Sequence, residues 1–378
     1  MIYLDHNATS PILAAASEAM QAAFAVFGNA SSAYECGRTA RAALEQARRD
    51  IAAAAEVAPR DILFTSGGTE SNNTALFGLV DVVAGQEIAV APHDHSSVVE
   101  SAVELGRRGA LVRWLDVDSG GRVDPESVRA AIGPATVLVS VGWANNEIGT
   151  VQDVEAIAAV CRECGVVFHT DAVQAFGKIG TRLPDADLLS ITAHKLGGPK
   201  GIGALVRRRA VALRPLLFGG SQERGLRPGT ENVVAACGFA AAVVAAGERG
   251  EWSNDVRERL WRGLAAIDGI ERYSSPSDCL PNTLLVGFRG LRGESVVAAL
   301  DLEGIAVSVG SACSAGSGEP SHVLRALGYD DERARGAVRF STGRDTGSAE
   351  IDDAAGTVAE VVERMRAVAQ RPATAAMR

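Results

Sequence analysis

The feature that most constrains this 378-residue chain is an alternation of short apolar runs with helical patterns. Leu111–Leu115, Val137–Val141 and Val166–Thr170 have the length and β-branched content of strands, while Pro125–Ile132 and Val154–Cys164 repeat with helical period. Strand, helix, strand in that order requires crossover connections, which lay helices over both faces of a mostly parallel sheet. In such a sheet the groups that meet a ligand collect in the loops beyond the strand C-termini. The residues that follow each apolar run are therefore where chemistry is to be sought.

Those residues are polar and specific. Ile62–Thr65 runs into Ser66-Gly67-Gly68-Thr69-Glu70-Ser71 and then an apolar helical stretch, Asn72–Val83. Strand, glycine turn and helix N-terminus can bind phosphate through backbone N–H groups, with Thr69 adding a hydroxyl, although most such turns are only turns. Glu87–Ala91 leads to Pro92-His93-Asp94-His95-Ser96-Ser97 and a helix through Leu105; the two histidines invite a metal reading, but no further ligand is placed. Val137–Val141 feeds Asn145-Asn146-Glu147, and Val166–Phe168 feeds His169-Thr170-Asp171, with Gln174 just beyond. Asp171 can simply cap the following helix, or it can hold a pyridine nitrogen protonated.

Ala186–Arg208 is the most informative stretch. A buried-strand run, Leu188–Ala193, presents His194-Lys195, then glycines between Gly197 and Gly203, then a second run, Ile202–Val206. A lysine beside glycines is ordinarily a solvated loop lysine. At the end of a rigid element it can instead lose its proton by desolvation and attack an aldehyde.

Composition narrows the class. With 47% hydrophobic residues the chain can bury a large core, and a net charge of −9 argues against general nucleic-acid binding. No apolar segment reaches membrane-spanning length and MIYLDHNATSP lacks the form of a signal peptide, so a soluble cytoplasmic protein with no membrane partner is expected. Six cysteines in a chain this long are not a disulfide scaffold. Cys161 and Cys164 form a CxxC, but at the wrong end of a helix for redox work, and structural roles are expected for them.

Farther on, Phe218–Asn232 is a glycine-rich loop carrying Arg224 and Arg227, followed by an alanine-rich helix to Ala246. A boundary is placed near 247–254, giving a large α/β domain over 12–248 and a smaller α+β domain from 1–11 and 249–378. The latter holds helix Asp255–Ala266, strand Thr283–Phe288, helix Glu294–Glu303 and a fraying tail, Val368–Arg378. Within it, Ala306–Pro320 is a Gly/Ser-rich segment with Cys313 at its middle, either a plain loop or a place for a used thiol. Arg339, on the strand Val338–Ser341, can clamp a carboxylate or sit in an ordinary surface ion pair.

Together these stretches supply the groups that a pyridoxal phosphate site requires. YLDHNATSP, FTSGGTESNN, HDHSSVV, ANNEIG, HTDAVQ, AHKLGGPKGIGAL, RPGTEN, GSACSAG and VRFSTGR resemble, in order, the motifs of the cysteine desulfurases of the NifS/IscS type. These are fold-type I pyridoxal phosphate enzymes of the class V aminotransferase group. The resemblance implies that Lys195 bonds to the cofactor aldehyde and later moves the substrate α-proton. Gly68, Thr69, Thr192 and His194 would hold the phosphate, with Thr230 supplied by the other subunit of a homodimer. His95 would stack on the ring, Asp171 would pair with the pyridine nitrogen and Gln174 with the phenolic oxygen. Asn146 and Arg339 would orient the carboxylate of L-cysteine, and Cys313 would take its sulfur as a persulfide, releasing L-alanine. An acceptor protein, such as an iron–sulfur scaffold or a thiolation enzyme, would take the sulfur onward, and no resident metal is implied. Trp143 before ANNE, and the Ala/Pro-rich tail, depart from the family pattern and leave that acceptor open. The rival readings are transamination or selenocysteine lysis, for which a loop thiol has no use in the former, and a catalytically idle sulfur-carrying or dimeric binding protein.

Overall fold

The apolar runs pair into one sheet because most are buried on both faces, which leaves their backbone groups only a neighbouring strand to bond; Leu111–Trp114, at one edge, is largely exposed. The computed structural model describes residues 1–209, 211–250, 252–310 and 319–369. Among them a seven-stranded sheet runs in the order Ile62–Thr65, Gly203–Arg207, Leu188–Thr192, Val167–Asp171, Thr136–Ser140, Glu87–Val90, Leu111–Trp114. The pairs from Leu188–Thr192 to Leu111–Trp114 are parallel, and Gly203–Arg207 is antiparallel to both of its neighbours. The mostly parallel α/β fold expected from the sequence is therefore the one observed.

Alternation along the strands sorts the core into two layers. Phe64, Val139, Phe168 and Leu189 join one cluster with helices Glu35–Ala54, Val154–Cys164 and Val233–Arg249. Leu63, Leu138, Leu188 and Leu205 join the other with helices Gly68–Leu79 and Ser96–Arg107. Each buried Leu or Phe removes a side chain from water, worth about 1.5–3 kcal/mol. Helix Val154–Cys164 shows the local logic: the Asp153 carboxylate accepts from Ala156 N, and Gly165 ends the helix at φ 70°, a conformation that favours glycine.

The chain divides into two compact units. One comprises Thr9–Asn146 and Thr150–Glu251 and contains the seven-stranded sheet. The other comprises Met1–Ala8, Glu147–Gly149 and the described residues of Trp252–Arg378. It is built on an antiparallel sheet ordered Ser308–Val309, Ala337–Ser341, Thr283–Phe288, Ile270–Arg272, and the helices Asp255–Leu264, Gly293–Leu302 and Ser348–Ala369 supply the core against it.

Several element ends differ from expectation. The helix after the glycine turn begins at Gly68 and stops at Leu79, because the turn itself supplies the helix N-terminus. The first helix, expected over residues 14–27 from its helical pattern, spans only Ala14–Ala23 and leaves Phe24 and Phe27 exposed. Helix Ser348–Ala369 was not anticipated, and it takes in Val368, which was assigned to a fraying tail. No helix among the described residues is long and apolar enough to cross a membrane.

Candidate active site

In the larger unit, Ile62–Thr65, Val167–Asp171 and Leu188–Thr192 all end on the same edge of the sheet. Gly67 there adopts φ 156° and ψ −177°, which side-chain-bearing residues avoid, and caps helix Gly68–Leu79. The turn is wedged tightly. A Cβ on Gly68 would stand 2.7 Å from Val173 Cγ2, and one on Gly203 would stand 2.8 Å from Gly67 Cα. Glu70 folds back onto Ser66 N at 2.7 Å and pairs with Arg227 at 2.9 Å, so the turn is tied to the loop that carries Thr230. Thr230 and Thr69 are both exposed.

Asp171 ends its strand buried, with Oδ1 accepting from Val173 N (2.9 Å) and Oδ2 from Asn72 Nδ2 (2.7 Å). Asn72 spends its second amide hydrogen on Ser97 Oγ at 2.8 Å. Ser97 in turn meets His95: its backbone N–H donates to Nδ1 at 3.1 Å, and its hydroxyl lies 2.8 Å from the same nitrogen. A nitrogen that receives an N–H is an acceptor, so the proton of the neutral His95 ring sits on Nε2. One chain of hydrogen bonds therefore runs from Asp171 through Asn72 and Ser97 to His95, and the same Ser97 contact caps helix Ser96–Arg107.

Behind this chain lies Asp94, whose two oxygens both accept from Gly142 N at 3.0 Å. Burial, reinforced by the nearby Asp171 carboxylate, pushes its carboxyl up to about 8. His169, two residues before Asp171, bridges Ser140 Oγ (2.8 Å) and Ser190 Oγ (3.2 Å) inside the sheet, and burial pushes it down to about 4.

His194 and Lys195 follow Leu188–Thr192 and are half-buried. Their backbone is pinned by the N-terminal segment: Ser10 N donates to His194 O at 2.9 Å and Ser10 Oγ to Lys195 O at 3.2 Å. Burial first, then the positive charges of Lys195, Lys200 and Lys178, push the His194 ring down to about 4. A place where three ammonium groups act on one imidazole is a place that attracts an anion. The Thr192 hydroxyl donates to Ile202 O at 3.1 Å, an internal bond that a phosphate oxygen would have to replace.

Gln174 is buried, and its Oε1 accepts from Lys178 Nζ at 2.8 Å. Lys178 is itself wholly buried. Asn146 is half-buried beyond the end of strand Thr136–Ser140. Arg339 belongs to the smaller unit, where it is buried and its Nη2 lies 2.7 Å from Asp5 Oδ1; the ion pair expected as its ordinary alternative is real, but it is not on the surface. Cys313 lies outside the described residues.

Thus Gly68, Asp171, Thr192 and, through Asn72, His95 converge at one sheet edge. His93 and His95 are turned to separate partners, Gln152 and Ser97, and no group of three or more metal-binding side chains is found among the described residues. Cys161 is buried with its thiol pushed up to about 12 by burial, the behaviour of a packing residue, while Cys164 is exposed. Sequence reasoning missed Asn72, Ser97 and Lys178. Their signal was present: Asn72 stands one helical turn after Gly68 in the helix that the glycine turn starts, and Lys178 one helical turn after Gln174.

Comparison with known proteins follows the same lines. The aminotransferase class-V family model matches residues 2–353. A cysteine desulfurase of Bradyrhizobium diazoefficiens is 44% identical over 375 residues, spanning 97% of this chain and 95% of that protein. One from Gluconacetobacter diazotrophicus is 42% identical over 377 residues, covering 97% and 94%. The solved structure of a NifS-like protein superposes with a TM-score of 0.89 at 34% identity, covering 96% of this chain and 99% of its own.

Proposed function

The chain belongs to the aminotransferase class-V family, among its cysteine desulfurases, and from that premise we propose that it carries pyridoxal 5'-phosphate on Lys195 and takes the sulfur of L-cysteine onto Cys313. The observation that carries the cofactor assignment is the convergence at one sheet edge of a glycine turn, a doubly hydrogen-bonded carboxylate and a lysine-rich anion site. These are three different demands of one molecule. The turn at Gly67–Gly68 offers backbone N–H groups and a helix N-terminus to a phosphate. The positive field felt at His194 suits the same anion. Asp171, with donors on both oxygens, suits a pyridinium.

When bound, the cofactor supplies an electron sink that makes the substrate α-proton removable. The chain's own groups do the rest. Lys195 is the amine that holds the cofactor aldehyde and, once displaced by substrate, the base that moves the α-proton. His95, with its proton on Nε2, would cover the cofactor ring and hold a proton for transfer. Asn146 and Arg339 orient the substrate carboxylate, Arg339 being held by Asp5. The Cys313 thiolate bonds to the substrate sulfur as the Cβ–S bond breaks. The carbon gains a proton and leaves as L-alanine, and the sulfur stays as a persulfide on Cys313. Oxidation of one sulfur is balanced by reduction of the carbon, so no external redox partner is needed.

The smaller unit, in this reading, is the domain that bears the sulfur-accepting segment. We further propose a homodimer in which Thr230 completes the phosphate site of the other copy, a role its exposure on the Phe218–Asn232 loop permits. The persulfide passes to an acceptor protein, such as an iron–sulfur scaffold or a thiolation enzyme. Borohydride reduction of the yellow protein followed by peptide mapping tests the assignment. Attachment of the cofactor mass to Lys195 is expected; attachment to Lys178 or Lys200 would overturn it.

A further inference from the structure

A lysine with no exposed surface has to be there for a reason, since burying an amine costs free energy unless its donors are used. Lys178 is 0% exposed, and its Nζ donates to Gln174 Oε1 at 2.8 Å. The two residues sit four apart on one helical turn that leaves the Asp171 strand end, held by Phe176 N to Ala172 O (2.9 Å) and Ile179 N to Ala175 O (3.1 Å). The turn therefore fixes both side chains relative to Asp171. An amide carries its acceptor and its donors on opposite branches. With the acceptor oxygen committed to Lys178, the Gln174 Nε2 hydrogens face the other way, and the alternative orientation would set an NH2 against an amine with no acceptor between them.

We propose that Lys178 is a positioning residue for the cofactor: its hydrogen bond fixes the Gln174 amide so that the Nε2 donors meet the phenolic oxygen. This rests on the cofactor reading above and adds to it the group that decides which face of Gln174 the cofactor meets. A donor on a phenolate lowers the basicity of the conjugated lysine linkage, so the pH at which the bound cofactor changes colour reports the orientation of Gln174. The ionisable groups around that chromophore are Asp171, His169, Asp94 and His95 on the ring side, and His194, Lys195 and Lys200 beyond strand Leu188–Thr192. Of these, His194 feels the Lys178 charge directly, and the double variant separates that direct effect from one passed through Gln174.

The test is a pH titration of the visible absorption of the cofactor-loaded protein. Lys178→Met keeps the volume and removes the donor; Gln174→Leu removes the amide and leaves Lys178 in place. Each is expected to raise the midpoint by about one pH unit, the size of one hydrogen bond to a charged group. The double variant is expected to match Gln174→Leu, because Lys178 acts through Gln174. An unchanged midpoint in Lys178→Met, with only a lowered melting temperature, would overturn the inference and leave Lys178 a packing residue. A further shift in the double variant over Gln174→Leu would overturn it too, by showing that the lysine charge acts directly. If Lys178→Met fails to fold, an unshifted midpoint in Gln174→Leu overturns the proposal by itself. A native protein that takes up no cofactor and stays colourless would remove the cofactor reading, and this inference with it.

Discussion

The Asn72 amide nitrogen donates to Asp171 Oδ2 at 2.7 Å, joining a helix that starts at the glycine turn to a strand end 99 residues away. Its other hydrogen goes to Ser97 Oγ, so one side chain couples the carboxylate to the cap that holds His95. Replacing Asn72 by Leu removes both donors. Hydrogen bonds to a charged group are worth about 1.5–3 kcal/mol, so cofactor affinity is expected to fall about tenfold or more. Equilibrium dialysis against free pyridoxal phosphate measures it. An unchanged affinity would show that Asp171 needs no help from this helix.

Arg48 and Glu223 are both buried and meet through two hydrogen bonds, 2.9 and 2.6 Å. They also serve the free edge of strand Ile62–Thr65: Glu223 accepts from Phe64 N, while Arg48 and Arg224 donate to Ile62 O. Glu223 and Arg224 hold left-handed backbone to do so, at φ 45° and 59°. Arg48→Met leaves Glu223 buried without its counter-charge and is expected to cost about 3–5 kcal/mol in denaturant unfolding. Adding Glu223→Gln is expected to recover part of that loss. A single variant within about 0.5 kcal/mol of native, the range of a plain surface substitution, would contradict the account.

Asp94 gives the pH dependence a sign. Its folded pKa of about 8 lies above the ordinary 3.8, so between those values the folded protein keeps a proton that the unfolded chain has released. The contribution is fully present below the lower value and is lost as pH rises through the upper one. Asp94→Asn stays neutral throughout and should lack this decline. The expected result is a melting temperature that rises relative to native as pH goes from acid to about 8. Parallel melting curves across that window would refute the burial argument.

Much of this was legible in the residues, and the reasons are physical. Strands buried on both faces read as continuous apolar runs, so Ile62–Thr65 and Thr283–Phe288 match their observed bounds, and the helical period does the same for Val154–Cys164. Gly68, Asp171 and Thr192 were expected at one edge of the sheet because strand C-termini in a parallel sheet converge. What could not be read were contacts set by tertiary packing. The Asn72–Asp171 and Arg48–Glu223 pairs span 99 and 175 residues, and nothing local announces them. The short strand Ile270–Arg272 and helix Ser348–Ala369 escaped because their polar faces dilute the apolar period, and only the core of the smaller unit makes the pattern visible.

The central claim is that sulfur leaves L-cysteine for Cys313. Purified, cofactor-loaded protein should be given L-cysteine with reductant, and alanine and sulfide quantified beside Cys313→Ala. Equal amounts of alanine and sulfide from the native protein, with loss of both in a variant that keeps its yellow cofactor, are the predicted result. Undiminished turnover in Cys313→Ala would contradict it.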